Sequence, residues 1–180
     1  MEINDILYKA ISEYQEKRIV SDIAQGESSD TLSTIFSHCV SNLDRDEGNT
    51  PETLGALAEG LIHYMLTVAL IPSQRKTSLQ SVGIDVAIPD ARTLSTSPDD
   101  AVIIYFPKTS ELQTIKEKVD RLKKIQPKSE NIWLVVDKPV SAEAKVYTLD
   151  KEQFSFANII DDLISFSAGK KQTKLKILKI

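Results

Sequence analysis

Ser81-Val82-Gly83-Ile84-Asp85-Val86-Ala87-Ile88-Pro89-Asp90 and, after a polar bridge, Ala101-Val102-Ile103-Ile104-Tyr105-Phe106-Pro107-Lys108 are the two runs that decide how this chain folds. Both are short, rich in β-branched and aromatic residues and closed by proline, which marks them as strands. The second is apolar without a break from Ala101 to Phe106, the pattern of a strand covered on both faces. The first carries one acid, Asp85, and the second ends in Lys108. An acid inside an apolar strand must be paired, hydrated or bound to something. Beside a lysine on the next strand, it can hold a metal ion and a phosphate.

Downstream, Ser110 is a candidate cap for a helix with Leu112, Ile115, Val119, Leu122 and Ile125 on its apolar stripe, closed by Pro127. Asn131 to Val136 is a further buried strand, and Trp133 within it reads as core. A strand, a helix and a strand in this order predict a right-handed parallel crossover. Lys145 to Leu149 reads as a shorter strand, and Phe154 to Phe166 as a helix stopped by Gly169. The tail from Lys170 to Ile180 alternates lysines with aliphatics and reads as an added edge strand or a docking peptide.

Upstream, Thr50-Pro51-Glu52 is a strong helix start, with a capping hydroxyl, proline at the first turn and an acid at the positive end of the dipole. The helix buries Leu54, Leu57, Ala58, Leu61, Ile62 and Met65 and ends before Pro72. Glu59 lies at the edge of that face, where it either borders solvent or turns inward, and His63 follows one turn later as a packed or surface histidine. Thr77 to Gln80 reads as a short strand. Two further helices are expected over residues 2–24 and from Ser29 or Asp30 to Leu43, before the polar turn at residues 44–49.

The bulk numbers describe an ordinary soluble composition: 180 residues, 41% hydrophobic and 27% charged. No apolar run approaches the length of a membrane span. The opening Met1-Glu2-Ile3-Asn4-Asp5 lacks the basic-then-apolar pattern of a signal peptide, so a cytoplasmic location is expected. One cysteine, Cys39, excludes an internal disulfide or a multi-cysteine zinc site and reads as a small buried residue. The net charge of −4 is uneven: residues 1–70 hold 12 acids and 4 bases, whereas residues 71–180 hold 14 acids and 18 bases. Such a split suits a chain with one face toward a polyanion, or simply solvated helix faces. An acidic chain of pI near 5.3 is a poor indiscriminate DNA binder. The six glycines are scattered, and none forms a phosphate-cradling loop, which argues against nucleotide binding.

From Glu59 onward the order helix, strand, strand, strand, helix, strand, followed by a short strand and a helix, resembles the core of the restriction-endonuclease-like, or PD-(D/E)xK, phosphodiesterase superfamily. Gly83-Ile84-Asp85-Val86 is similar to the family's Gly-x-Asp-aliphatic strand, whose aspartate binds a divalent metal. Lys108 falls where the family's lysine ends the next strand, and Glu59 where the first core helix often supplies an acid. The likeness covers residues 50–166 and is nearest to archaeal Holliday-junction-resolvase-like and Mrr-like nucleases. It implies Asp85, Glu59 and Lys108 as catalytic residues, Asp85 and Glu59 as metal ligands and Mg2+ as the cofactor. The motif expects an acid two positions before the lysine, where this chain has Phe106. Asp90, Asp99, Glu111 and Asp137 are other acids in reach by sequence, but spacing selects none of them.

The expected architecture is α/β: a restriction-endonuclease-like core over residues 50–168 with a mixed sheet of four or five strands flanked by helices, an N-terminal helical extension over residues 1–49 and a basic-aliphatic tail over residues 169–180. The expected function is that of a non-catalytic or weakly active nuclease-fold protein, an accessory or interaction subunit in nucleic-acid processing. Its partners would be DNA, a nucleic-acid-processing protein or a second copy in a homodimer, and not a membrane. The alternatives are a metal-dependent DNA endonuclease using Asp85, Glu59 and Lys108, and an unrelated α/β protein-interaction module.

Overall fold

The computed structural model describes residues 2–43 and 48–177. Seven α-helices and five strands succeed one another among these residues: α1 Ile3–Tyr14, α2 Glu16–Ala24, α3 Ser28–Ser41, α4 Pro51–Val68, β1 Gln74–Leu79, β2 Val82–Ile88, α5 Ala91–Thr96, β3 Val102–Tyr105, α6 Leu112–Lys123, β4 Ile132–Val136, β5 Lys145–Thr148 and α7 Ile159–Ile177. The strands form one sheet in sequence order, β1-β2-β3-β4-β5. β1–β2 and β2–β3 are antiparallel; β3–β4 and β4–β5 are parallel. The parallel pair β3–β4 is the one joined through α6, as the strand–helix–strand pattern predicts.

Helices cover both faces of the sheet. On one side Val86, Ile88, Val102, Ile104, Phe106, Trp133 and Val135 pack with apolar residues of α1, α3, α4 and α7 in a single core. On the other, Ile103 and Ile132 meet Leu122 and Ile125, and Leu134 and Val136 meet Ile115 and Val119 of α6. Each such buried aliphatic contributes about 1.5–3 kcal/mol. Ile6, Leu7, Ile35 and Phe36 of the N-terminal helices share the core of Leu57 and Trp133. Phe36 stacks on Phe154 at 5.3 Å and meets Phe156 edge-on at 5.8 Å, and the Ser28 hydroxyl donates to Asp161 at 2.6 Å, so α3 is tied to the C-terminal helix.

Several element boundaries differ from the sequence reading. The first helix is two, because Gln15 takes a left-handed φ of 75° and breaks the ladder between α1 and α2. The polar bridge holds the short helix α5, capped by Asp90, whose carboxylate accepts from the Thr93 amide at 2.7 Å. The backbone of α7 runs past Gly169 to Ile177, so that stretch of the tail is helical instead of an edge strand. Residues 44–47 of the polar turn and 178–180 of the tail lie outside the described residues. Gln126 is fully buried and fixes the start of β3: its amide donates to the carbonyls of Pro98 and Ala101 at 2.8 and 2.9 Å and accepts from the Lys128 amide at 3.1 Å.

Candidate functional site

Thr50 caps α4 through the Thr53 amide, Pro51 opens the helix, and its apolar stripe lies against the sheet. That placement turns Glu59 inward, where it is 5% exposed, and removes the solvent-bordering alternative. A buried carboxylate needs partners, and Glu59 has three. Lys76 reaches Oε1 at 2.6 Å, Lys108 reaches Oε2 at 2.9 Å, and an Arg75 guanidinium nitrogen lies 3.4 Å from Oε1. Burial pushes the Glu59 carboxyl up, but the hydrogen bonds from Lys76 and Lys108 and their charges outweigh it and leave the group below the usual carboxylate range.

Asp85 is partly open to solvent, at 25% side-chain exposure. Its Oδ2 accepts the Phe106 amide at 2.9 Å, which pins it to the end of β3, and its Oδ1 lies 3.7 Å from the Lys76 ammonium. Lys76 therefore stands between the two carboxylates, and Lys108 pairs with Glu59. The three residues expected to form a site converge on one place. Asp85 and Glu59 are linked through Lys76, a residue that the sequence reading did not single out.

The backbone explains how Lys76 comes there. Successive strand side chains normally point to opposite faces, yet Arg75 and Lys76 both reach Glu59 Oε1. Lys76 lies between Arg75 and Thr77, whose partners Val86 and Ile84 flank Asp85, so Lys76 faces Asp85 across the ladder. Its φ of 47° is left-handed, a conformation that costs a non-glycine residue about 1–2 kcal/mol. β2 is distorted at the same level: Ile84 joins the α6 side of the sheet and Val86 the α4 side, although residues two apart should share a face. The paired distortion brings the Lys76 ammonium between Glu59 and Asp85.

Space for Lys108 comes from α4. A Cβ on Gly55 would lie 2.9 Å from the Pro107 carbonyl oxygen and 3.4 Å from Lys108 Cδ, so only glycine lets the β3–α6 segment approach. Phe106 is buried on the α4 side, and the Lys108 ammonium lies 5.9 Å from its ring centre. Where the family pattern expects an acid, the chain has an aromatic core side chain. Two residues before Asp85, the Gly83 carbonyl accepts from Lys118 at 2.6 Å. Burial first, then the nearby Arg121, lowers the Lys118 ammonium, and Asp85 opposes them. His63 is exposed, and burial and the Arg75 charge lower its imidazole. Asp90, Asp99 and Glu111 are engaged elsewhere, with Thr93, Lys128 and Thr114.

As arranged, the donor set does not fit a divalent metal ion. Both Glu59 oxygens face ammonium groups and Asp85 Oδ2 faces an N–H. Two carboxylates meet Arg75, Lys76 and Lys108, a surplus of positive charge before any ion arrives. Among the described residues, no group of three or more His, Cys, Asp or Glu side chains is placed to hold a metal.

Solved structures similar to this chain include two restriction endonucleases. The restriction endonuclease PspGI, in complex with its substrate DNA, matches with a TM-score of 0.60 and 13% identity over 94% of each chain. Ecl18kI, metal-depleted and in complex with uncleaved, modified DNA, matches with a TM-score of 0.61 and 11% identity over 94% of this chain and 80% of that one. No protein-family model matches, and no curated protein sequence matches. Identities this low speak for the fold, and the fold they speak for is the one that Gly83–Val86 and the element order imply. A mixed five-stranded sheet in sequence order, with helices on both faces and this backbone likeness, places the chain among proteins of the restriction-endonuclease-like fold.

Proposed function

We propose that this chain is a non-catalytic nuclease-fold protein that binds nucleic acid through the basic rim of its inherited site and acts as an accessory subunit in nucleic-acid processing. The carrying observation is the closure of Glu59 by Lys76, Lys108 and Arg75. Phosphodiester cleavage at such sites relies on carboxylates that are free to hold a hard cation, which activates water and offsets charge on the phosphoryl oxygens. Here the carboxylates are neutralised by side chains, and Phe106 takes the place of the second strand acid. The cations remain partly open to solvent: Lys76 is 59% exposed and Lys108 37%. With Arg75 they carry more charge than the two acids, so they offer ammonium groups to a phosphate backbone. The DNA held by PspGI and Ecl18kI supports this choice of partner. No helix among the described residues is long and apolar enough to cross a membrane.

The second reading, a metal-dependent DNA endonuclease, draws support from the meeting of Glu59, Asp85 and Lys108 in one place. One experiment separates the two. Plasmid and branched DNA are incubated with the wild type, Asp85→Ala and Lys108→Ala, with Mg2+ or Mn2+, and both retention in a mobility-shift gel and cutting are scored. Salt-sensitive binding without cutting is the expected outcome. Metal-dependent cutting that both substitutions abolish establishes the nuclease reading instead, and absence of any binding removes nucleic acid as the partner.

A further inference from the structure

We propose that Lys76 is the resident cation of this site: its ammonium holds Glu59 and Asp85 together where a divalent ion would otherwise bridge two such carboxylates, and the chain takes up such an ion only when Lys76 is removed. This rests on the reading of the site as non-catalytic and names the residue that makes it so.

The acids come from different elements, Glu59 from α4 and Asp85 from β2. Like charges brought together need a counter-ion. Lys76 supplies it, at 2.6 Å from Glu59 Oε1 and 3.7 Å from Asp85 Oδ1. The other cations do not reach both acids in this way: Lys108 and Arg75 are placed on Glu59. Asp85 otherwise has the Phe106 amide on its second oxygen, an orienting contact that adds no full charge, and a longer-range attraction to Lys118, whose ammonium donates to the Gly83 carbonyl.

The local backbone is built around this bridge. Lys76 holds a left-handed φ of 47° inside a strand, opposite Asp85, and β2 changes face at that residue. An ordinary extended residue would send its side chain away from the face that Arg75 uses. Strained backbone of this kind persists where its surroundings over-determine it, and here the determinants are the two acids.

An ammonium neutralises the acids but has no Lewis acidity. It polarises no phosphoryl oxygen and generates no hydroxide at neutral pH, which are the two contributions a bound divalent ion makes. Without Lys76, Glu59 Oε1 and Asp85 Oδ1 would face the same vacated space, and Lys108 and Arg75 would leave the pair of acids roughly neutral before an ion binds. Oxygen donors of this type suit Mg2+ and Mn2+, with water completing the shell.

The test is a Mn2+ titration without nucleic acid, read by electron paramagnetic resonance of free Mn2+ and by thermal shift. It compares the wild type, Lys76→Met, Lys76→Gly and Lys76→Met combined with Asp85→Asn. Glycine accepts the left-handed φ without strain, so Lys76→Gly keeps the test open if Lys76→Met folds poorly. The expected result is one Mn2+ bound by Lys76→Met and Lys76→Gly, at least roughly tenfold more tightly than by the wild type and with a matching rise in melting temperature. Adding Asp85→Asn should remove that binding. A wild type that binds Mn2+ as tightly as the variants overturns the proposal, as do folded variants that bind none. Because no DNA is present, this failure is separable from that of the accessory-subunit reading, which falls on cutting or on absence of nucleic-acid binding.

Discussion

Glu59 on α4 and Lys108 beyond β3 meet at 2.9 Å although 49 residues separate them. The pairing carries a pH signature. Burial raises the Glu59 carboxyl, but the hydrogen bonds and charges of Lys76 and Lys108 together hold it below its unfolded value. Its stabilising contribution is therefore complete above the unfolded pKa of about 4.3 and is lost as pH falls through the lower folded value. Urea unfolding should place Glu59→Gln about 1–3 kcal/mol below the wild type at pH 7. The gap should hold down to about pH 5 and narrow below about pH 4. Equal stability at neutral pH would mean that the ion pairs offset no more than the cost of burying the acid.

Phe106→Glu would write the family's acid back into the sequence, but the side chain at this position is core. The substitution should cost at least about 3 kcal/mol, from lost burial and a poorly solvated carboxylate. It should yield no cutting of plasmid DNA with Mg2+. A well-folded variant that cuts would show that the missing acid was all that separated this site from activity.

Gly55→Ala tests the approach of α4 to the segment that carries Lys108. Alanine gains up to about 1 kcal/mol of helix propensity at an interior position. Its Cβ would press on the Pro107 carbonyl at 2.9 Å, a backbone atom that cannot simply rotate away. Overpacking of this kind costs about 1–3 kcal/mol, so net destabilisation in urea is expected. A stabilised variant would show that the segment yields freely.

If the basic rim contacts phosphates, salt should reveal it. Lys108→Ala should reduce the slope of log affinity against log salt by about 0.9 for duplex DNA, with little dependence on sequence. An unchanged slope would place Lys108 outside the interface.

Cys39 is 1% exposed, and burial pushes its thiol up to about 11. Since the thiolate is the reactive form, Ellman's reagent at pH 8 should leave the folded chain untouched and modify it in full in urea. Fast labelling without denaturant would mean that α3 opens readily.

Much of the fold was legible because it is written in periodicity. The apolar runs at Val82–Ile88, Ala101–Phe106 and Asn131–Val136 mark three strands, and the Thr50-Pro51-Glu52 start marks the helix that carries Glu59. The hairpin was harder to read. Its turn is Gln80-Ser81, both with positive φ, at 49° and 64°. Such turns normally announce themselves with Asn-Gly or Asp-Gly. Starting the first strand at Thr77 left Arg75 and Lys76 outside it, and with them the two cations that change the meaning of the site. Had the turn been recognised, counting back from it would have set Lys76 opposite Asp85. The left-handed φ that brings both basic residues to one carboxylate has no local signature, because it answers to acids on α4 and β2. The helical continuation of α7 past Gly169 was hidden by a lysine–aliphatic alternation that also suits a strand.

Among the described residues, β1 pairs with β2 alone and forms one edge of the sheet. A free edge offers unpaired amides and carbonyls to any passing extended chain, and proteins commonly break such edges with charge and irregular backbone. Lys76 supplies both at one residue: a positive side chain and a kink in the middle of Gln74–Leu79. The feature that fills the site would thus also keep β1 from serving as a template for continuous pairing with another copy. Relieving the kink with an extended, uncharged residue should then have a cost beyond the site, in colloidal behaviour: a chain more prone to assemble edge to edge.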